Sequence, residues 1–132
     1  MGMERRVAMS LTTYTQTKIL DHILRASSFG AIATPYLGLF TVEPADDGTG
    51  GTEVTGGGYA RLAGAFAADT DGVTYNTGVL TWDVPACTVV AGGIFDAVSG
   101  GNLLWIARFA VSRTVLAGTF SLQVGDWVVQ LG

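Results

Sequence analysis

The stretch Tyr36-Leu37-Gly38-Leu39-Phe40-Thr41-Val42 carries apolar side chains at both odd and even positions, and Leu103-Leu104-Trp105-Ile106-Ala107 does the same. In an extended chain successive side chains point to opposite faces, so such runs suit central strands covered on both sides, by a helix or by another sheet. From Pro35 onward the segments around them are short, β-branched and aromatic, and glycine-rich breaks separate them. This spacing predicts a mainly β fold, a single-domain β-sandwich or small barrel, rather than an alternating α/β order. Strands are expected at Tyr36 to Val42, Tyr59 to Phe66, Gly78 to Trp82, Thr88 to Asp96, Leu103 to Val111 and Phe120 to Leu131, with another around Val73 to Asn76. Ser99-Gly100-Gly101-Asn102 reads as a hairpin turn between two of them.

One segment has helical periodicity. Thr13 followed by Gln16 matches a capping box, and Ile19, Leu20, Ile23 and Leu24 recur on one helical face. The spacing predicts a helix over residues 14–27, closed by Ser27, Ser28 and Gly30. Lys18, Asp21 and Arg25 fall on other faces, so the apolar stripe is expected to pack on a sheet or on a neighbouring subunit. Residues 1–12 lack a period and read as an N-terminal arm, leaving 13–132 as the β-rich domain that starts with this helix. Methionines at 1, 3 and 9 leave the start codon open. Pro44 to Gly58 holds six glycines and three threonines beside acidic residues. It is expected to be a long loop, a class of segment that is often functional or ordered by partners.

Composition narrows the function classes. The chain has 132 residues, of which 48% are hydrophobic and 14% charged, enough for one domain with a real core. So few charges leave more apolar surface than a small domain hides, which points to contact with other protein. A net charge of −4 and a pI near 4.6 argue against nucleic acid as a partner. No apolar run of 18 residues is present for a membrane span, and Val7-Ala8-Met9 after Arg5 and Arg6 is too short for a signal-peptide core. A soluble protein made in the cytoplasm is expected, with no membrane partner.

Catalytic and metal readings are weak throughout. His22 lies beside Asp21, but adjacent helix residues point about 100° apart, and no G-x-S-x-G elbow presents a nucleophile. Cys87 is the single cysteine, reads as a small buried hydrophobe, and with one histidine cannot build a Cys/His zinc site. The glycine runs at 48–51 and 56–58 lack the Lys-Ser/Thr and the helix that a phosphate cradle needs. Asp69-Thr70-Asp71-Gly72 opens like a calcium loop yet lacks the distal glutamate, so a plain turn is expected. No catalytic residue, metal or cofactor is expected.

Three stretches carry a resemblance. Leu39-Phe40-Thr41-Val42-Glu43-Pro44, the run from Gly48-Thr49-Gly50-Gly51 through Gly56-Gly57-Gly58-Tyr59-Ala60-Arg61, and Gly93-Ile94-Phe95-Asp96-Ala97 through Gly100-Gly101-Asn102-Leu103-Leu104 are similar to a family of small tailed-bacteriophage structural proteins. The similarity runs from the helix, with Leu20, His22 and Leu24, to the C-terminal strand, about 120 residues of one domain. It departs at Cys87 to Gly93, where relatives often carry a tryptophan, and before Ser10. Members are described as capsid decoration (cement) or tail-fibre-like proteins. The resemblance therefore implies a non-enzymatic virion component, first a cement protein that binds the major capsid protein and copies of itself as a dimer or trimer, alternatively a tail-fibre or tail-tip protein for host attachment. The expected interface residues are Arg5 and Arg6 in the arm, paired with acidic shell residues, and Tyr59 and Arg61 at the loop exit.

Overall fold

The structure, a computed structural model, describes residues 7–130. Along them run β1 (Val7–Leu11), α1 (Thr13–Leu24), β2 (Tyr36–Val42), β3 (Thr52–Glu53), β4 (Leu62–Ala63), β5 (Val73–Tyr75), β6 (Leu80–Val84), β7 (Cys87–Phe95), β8 (Leu103–Val115), β9 (Gly118–Leu122) and β10 (Val128–Gln130). The main sheet is antiparallel in the order β1-β8-β7-β2-β3, with β4 also paired to β2. Two ribbons, β6-β9 and β5-β10, complete the mainly β, single-domain architecture.

The pattern of β6 shows why the ribbon packs as it does. Leu80, Trp82 and Val84 are buried while Thr81 and Asp83 are exposed, the alternation of a strand with one apolar face. The register sets Leu80 opposite Leu122 and Trp82 opposite Phe120, so both ribbon strands turn the same apolar face inward. That face meets Leu37 and Leu39 of β2, Val89 and Ile94 of β7 and Ala107 of β8, with Trp127 and Val129 closing the core. Trp82 lies 5.9 Å from Phe120 and 6.3 Å from Trp127 between ring centroids, and its indole N–H donates to the Leu37 carbonyl at 3.0 Å. On the opposite face of the sheet Phe40, Ala91 and Phe95 form a smaller cluster with Tyr36, Val90 and Leu103 against it. The ribbons thus cover one face of β2, whereas the apolar side chains on its other face all come from β2, β7 and β8 themselves.

Several boundaries differ from expectation. The described part of the 1–12 arm is an edge strand: β1 pairs with β8, Val7 opposite Phe109 and Leu11 opposite Trp105, a contact across about a hundred positions that no local pattern signals. The helix starts at Thr13, with Thr12 rather than Thr13 as its cap, because the Thr12 hydroxyl oxygen accepts the Thr15 N–H; the Thr12 and Thr15 hydroxyls also donate to the carbonyls of Leu103 (2.7 Å) and Leu104 (2.9 Å) and tie the helix start to β8. It ends at Leu24, short of the expected 27, where Ala26 enters the left-handed region at φ 57°. The expected strand from 59 to 66 is reduced to β4, while β8 runs on to Val115. The expected strand from 120 to 131 is two strands separated by a turn in which Gln123 and Asp126 bond each other. The loop 44–58 contains β3, which zips onto β2.

Gly92 of β7 lies close beneath Trp127. A methyl group there would lie 2.6 Å from a Trp127 ring carbon and 3.1 Å from the Gly38 carbonyl oxygen, while nothing lies within 4 Å of a methyl at Gly30. Gly92→Ala should therefore cost about 1–3 kcal/mol by overpacking, whereas Gly30→Ala should stay within about 0.5 kcal/mol of wild type. Urea unfolding of the two variants checks this.

Candidate functional site

Two of the four expected interface residues, Arg5 and Arg6, lie outside the described residues. The other two, Tyr59 and Arg61, come together with Glu53, Gly38 and Phe95 on the outer face of the sheet. The loop exit lays Arg61 flat on the Phe95 ring, with the guanidinium carbon 3.4 Å from the centroid. Its Nε and Nη2 each donate to a Glu53 carboxylate oxygen at 2.9 Å, a bidentate fork. Nη1 donates at 2.9 Å to the carbonyls of Ala97 and Gly100 in the β7-β8 turn. The Tyr59 hydroxyl donates to Glu53 at 2.7 Å and accepts the Leu39 N–H at 2.9 Å. Gly38 makes room for this, since a methyl there would lie 2.8 Å from the Tyr59 oxygen and 2.9 Å from Glu53.

The arrangement is a clamp. It ties the glycine-rich loop to β2 and to the β7-β8 turn, and the Arg61 side chain keeps only 9% of its surface exposed. The two residues anchor the loop exit, and their donors are engaged within the chain. Asp96 shapes the same turn by accepting from the Asn102 backbone N–H (2.7 Å) and side-chain amide (2.9 Å). A shallow open depression of about 310 Å³ lies beside the clamp, lined by Glu53, Tyr59, Arg61 and Ser99 among others. Burial, reinforced by the bond to Glu53, pushes the Tyr59 hydroxyl well above its ordinary pKa of 10.0.

A second polar junction escaped the sequence reading. Arg108 of β8 donates to Glu43 and, at 2.8 Å, to Asp46 at the start of the loop, and at 2.7 Å to the Ser10 hydroxyl of β1. The Glu43 bond above all raises the guanidinium pKa. An arginine amid the apolar residues 103–111 was the available signal; its partners, more than 60 positions away, were not.

The residues weighed for chemistry are engaged locally. His22 Nδ1 accepts the Phe29 N–H at 3.3 Å and lies 3.2 Å from the Ser27 carbonyl, while Asp21 pairs with Arg25. Cys87 packs half-buried against the core. The Asp69–Gly72 segment is a tight turn bridged by Thr70 and Val73. Among the described residues, no group of three or more His, Cys, Asp or Glu is placed to hold a metal, and no helix is long and apolar enough to cross a membrane.

Residues 10–130 match a family of phage virion structural proteins. That family is described as podophage GP4 fiber I protein gp80, and the chain belongs to it. No curated protein matches the chain.

Because the folded state holds the Tyr59 proton more tightly than the unfolded chain, the stability this adds is complete below about pH 10 and falls as pH rises past that value. Tyr59→Phe should cost about 1–2 kcal/mol at pH 7 by removing the bond to Glu53 and orphaning the Leu39 N–H. Above about pH 10 the variant should lose stability less steeply than wild type; urea titrations from neutral to alkaline pH read both effects. Arg61→Ala, which leaves the Glu53 carboxylate half-buried and unpaired, should cost about 2–3 kcal/mol and speed proteolysis between Pro44 and Gly58.

Proposed function

We propose that this protein is a structural component of a phage fibre at the tail, acting by assembly and not by catalysis. The observation that carries the reading is the match over residues 10–130 to a family described by a fibre protein. In this reading the partners are other virion proteins and copies of the chain, and an acidic body of pI near 4.6 disfavours nucleic acid and anionic membrane alike. The protein is made in the host cytoplasm and carried in the virion.

Quantitative mass spectrometry of purified virions, scaled to the major capsid protein, tests the proposal. A few copies per particle, with antibody label at the tail, is the expected result. Copy numbers comparable with the major capsid protein, with label over the shell, would overturn it in favour of capsid decoration.

A further inference from the structure

The dipeptide Asp-Gly occurs twice, at Asp47-Gly48 and at Asp71-Gly72. In this dipeptide a backbone nitrogen reaches the preceding side-chain carboxyl easily, because glycine has no β-carbon to block the approach. Both pairs lie in turns, both aspartates are exposed and both glycines are half-buried, with φ of 85° and 80°. Hydrogen bonding separates them. At the first pair both reacting groups are held: the Gly48 N–H donates to the Ala45 carbonyl at 2.8 Å, and the Asp47 carboxylate accepts the Thr49 N–H at 3.0 Å and the Thr49 hydroxyl at 2.6 Å. At the second, neither the Gly72 N–H nor the Asp71 carboxylate has a hydrogen-bond partner among the described residues. Two backbone bonds between Thr70 and Val73 close that turn, and the two residues between them both have positive φ, 55° at Asp71 and 80° at Gly72.

We propose that Asp71 is a site of spontaneous backbone modification, where the chain rearranges to isoaspartate, and that Asp47 is protected from the same reaction. The step balances with water alone. The Gly72 nitrogen gives up its proton and bonds to Cγ of the Asp71 carboxylic acid, the acid's hydroxyl leaves with that proton as water, and a cyclic imide closes. Water then returns to one of the two imide carbonyls. Breaking the bond from nitrogen to Cγ restores aspartate. Breaking the bond from nitrogen to the main-chain carbonyl carbon leaves the chain running through Cβ and Cγ, which is the isoaspartyl link. Mass is unchanged and no electrons are transferred.

The same bonds explain the protection of Asp47. Ring closure takes a free nitrogen and a neutral carboxyl, whose hydroxyl is the leaving group. Gly48 must first give up the Ala45 carbonyl, and the bonds from the Thr49 hydroxyl and N–H hold the Asp47 carboxyl below its ordinary pKa, so less of it is protonated at neutral pH. At Asp71 the turn has only to open locally. Rearrangement there has a structural consequence: it adds a backbone atom to a two-residue turn, so the paired Thr70 and Val73 bonds are lost and the start of β5 frays. The inference stands on these two turns alone, and its failure leaves the fibre reading intact.

Incubation of the full chain for weeks in heavy-oxygen water at neutral pH tests it. Each passage through the imide leaves one solvent oxygen in the residue, whichever way the ring opens. Trypsin then separates the sites, with Asp47 on the peptide 26–61 and Asp71 on the peptide 62–108, and fragmentation in the mass spectrometer assigns label and isoaspartate to single residues. Label should enter Asp71 at least about fivefold faster than Asp47, the factor that one hydrogen bond supplies. In urea-unfolded protein the two rates should converge to within about twofold, because the bonds that separate the sites are gone. Labelling of Asp47 as fast as Asp71, labelling of Asp71 no faster than that of Asp83, which precedes a valine, or a fivefold preference that persists in urea would each overturn the proposal.

Discussion

Trp82, Trp127 and Phe120, pressed onto the inner face of β2, β7 and β8, are the packing on which the rest of the molecule depends. Large rings bury the most apolar area per residue, and they do so here only because the opposing sheet is cut back to Gly92 beneath Trp127. The same rings fix the ribbon. Trp82 bonds the Leu37 carbonyl, and Phe120 stacks on Phe109 of β8 with centroids 5.8 Å apart and planes 7° from parallel. With β6 and β9 held in that way, the sheet has one finished face and one that must be covered by other means.

The second face is covered with polar chemistry. Phe40 and Phe95 stack there, and the cover over Phe95 is the guanidinium of Arg61 rather than another strand. A planar cation suits this position: it gives its face to the ring and its edge donors to Glu53, Ala97 and Gly100. The glycine-rich loop is thereby drawn onto the sheet at its exit, while Arg108 fastens its start through Glu43 and Asp46. A segment whose composition reads as free loop is held at both ends. Apolar side chains that meet solvent include Val42 at the end of β2, Leu116 after β8, and Leu20, Ile23 and Leu24 of α1, whose first turn is held by two threonine hydroxyls.

How much of this was legible follows from the range of each interaction. The runs at 36–42 and 103–107 announce central strands because strand periodicity is local, and the Ser99–Asn102 turn and the helix are legible for the same reason. The family resemblance was legible too, carried by the residues around the clamp. Not legible were β1, whose five residues gain their meaning only from β8, and the inward turn of Tyr59 and Arg61. An arginine beside a tyrosine at a loop exit is written alike whether it serves a partner or the chain itself. The contacts they make within the chain rest on Gly38 and Phe95, which offer room and a ring at the right place.

By itself, then, the order of residues determined a mainly β domain with one amphipathic helix, too few charges for its size, and membership in a class of assembly proteins. Tertiary structure decided which apolar surfaces are spent inside and which are left out. Burial of β2 and β7 needed partners more than twenty positions away in the chain, and the clamp needed three separate segments at one point. The helix was left with its stripe exposed because its first turn is tied by hydroxyls to the carbonyls of β8, and that anchor fixes its rotation before any leucine can reach the sheet.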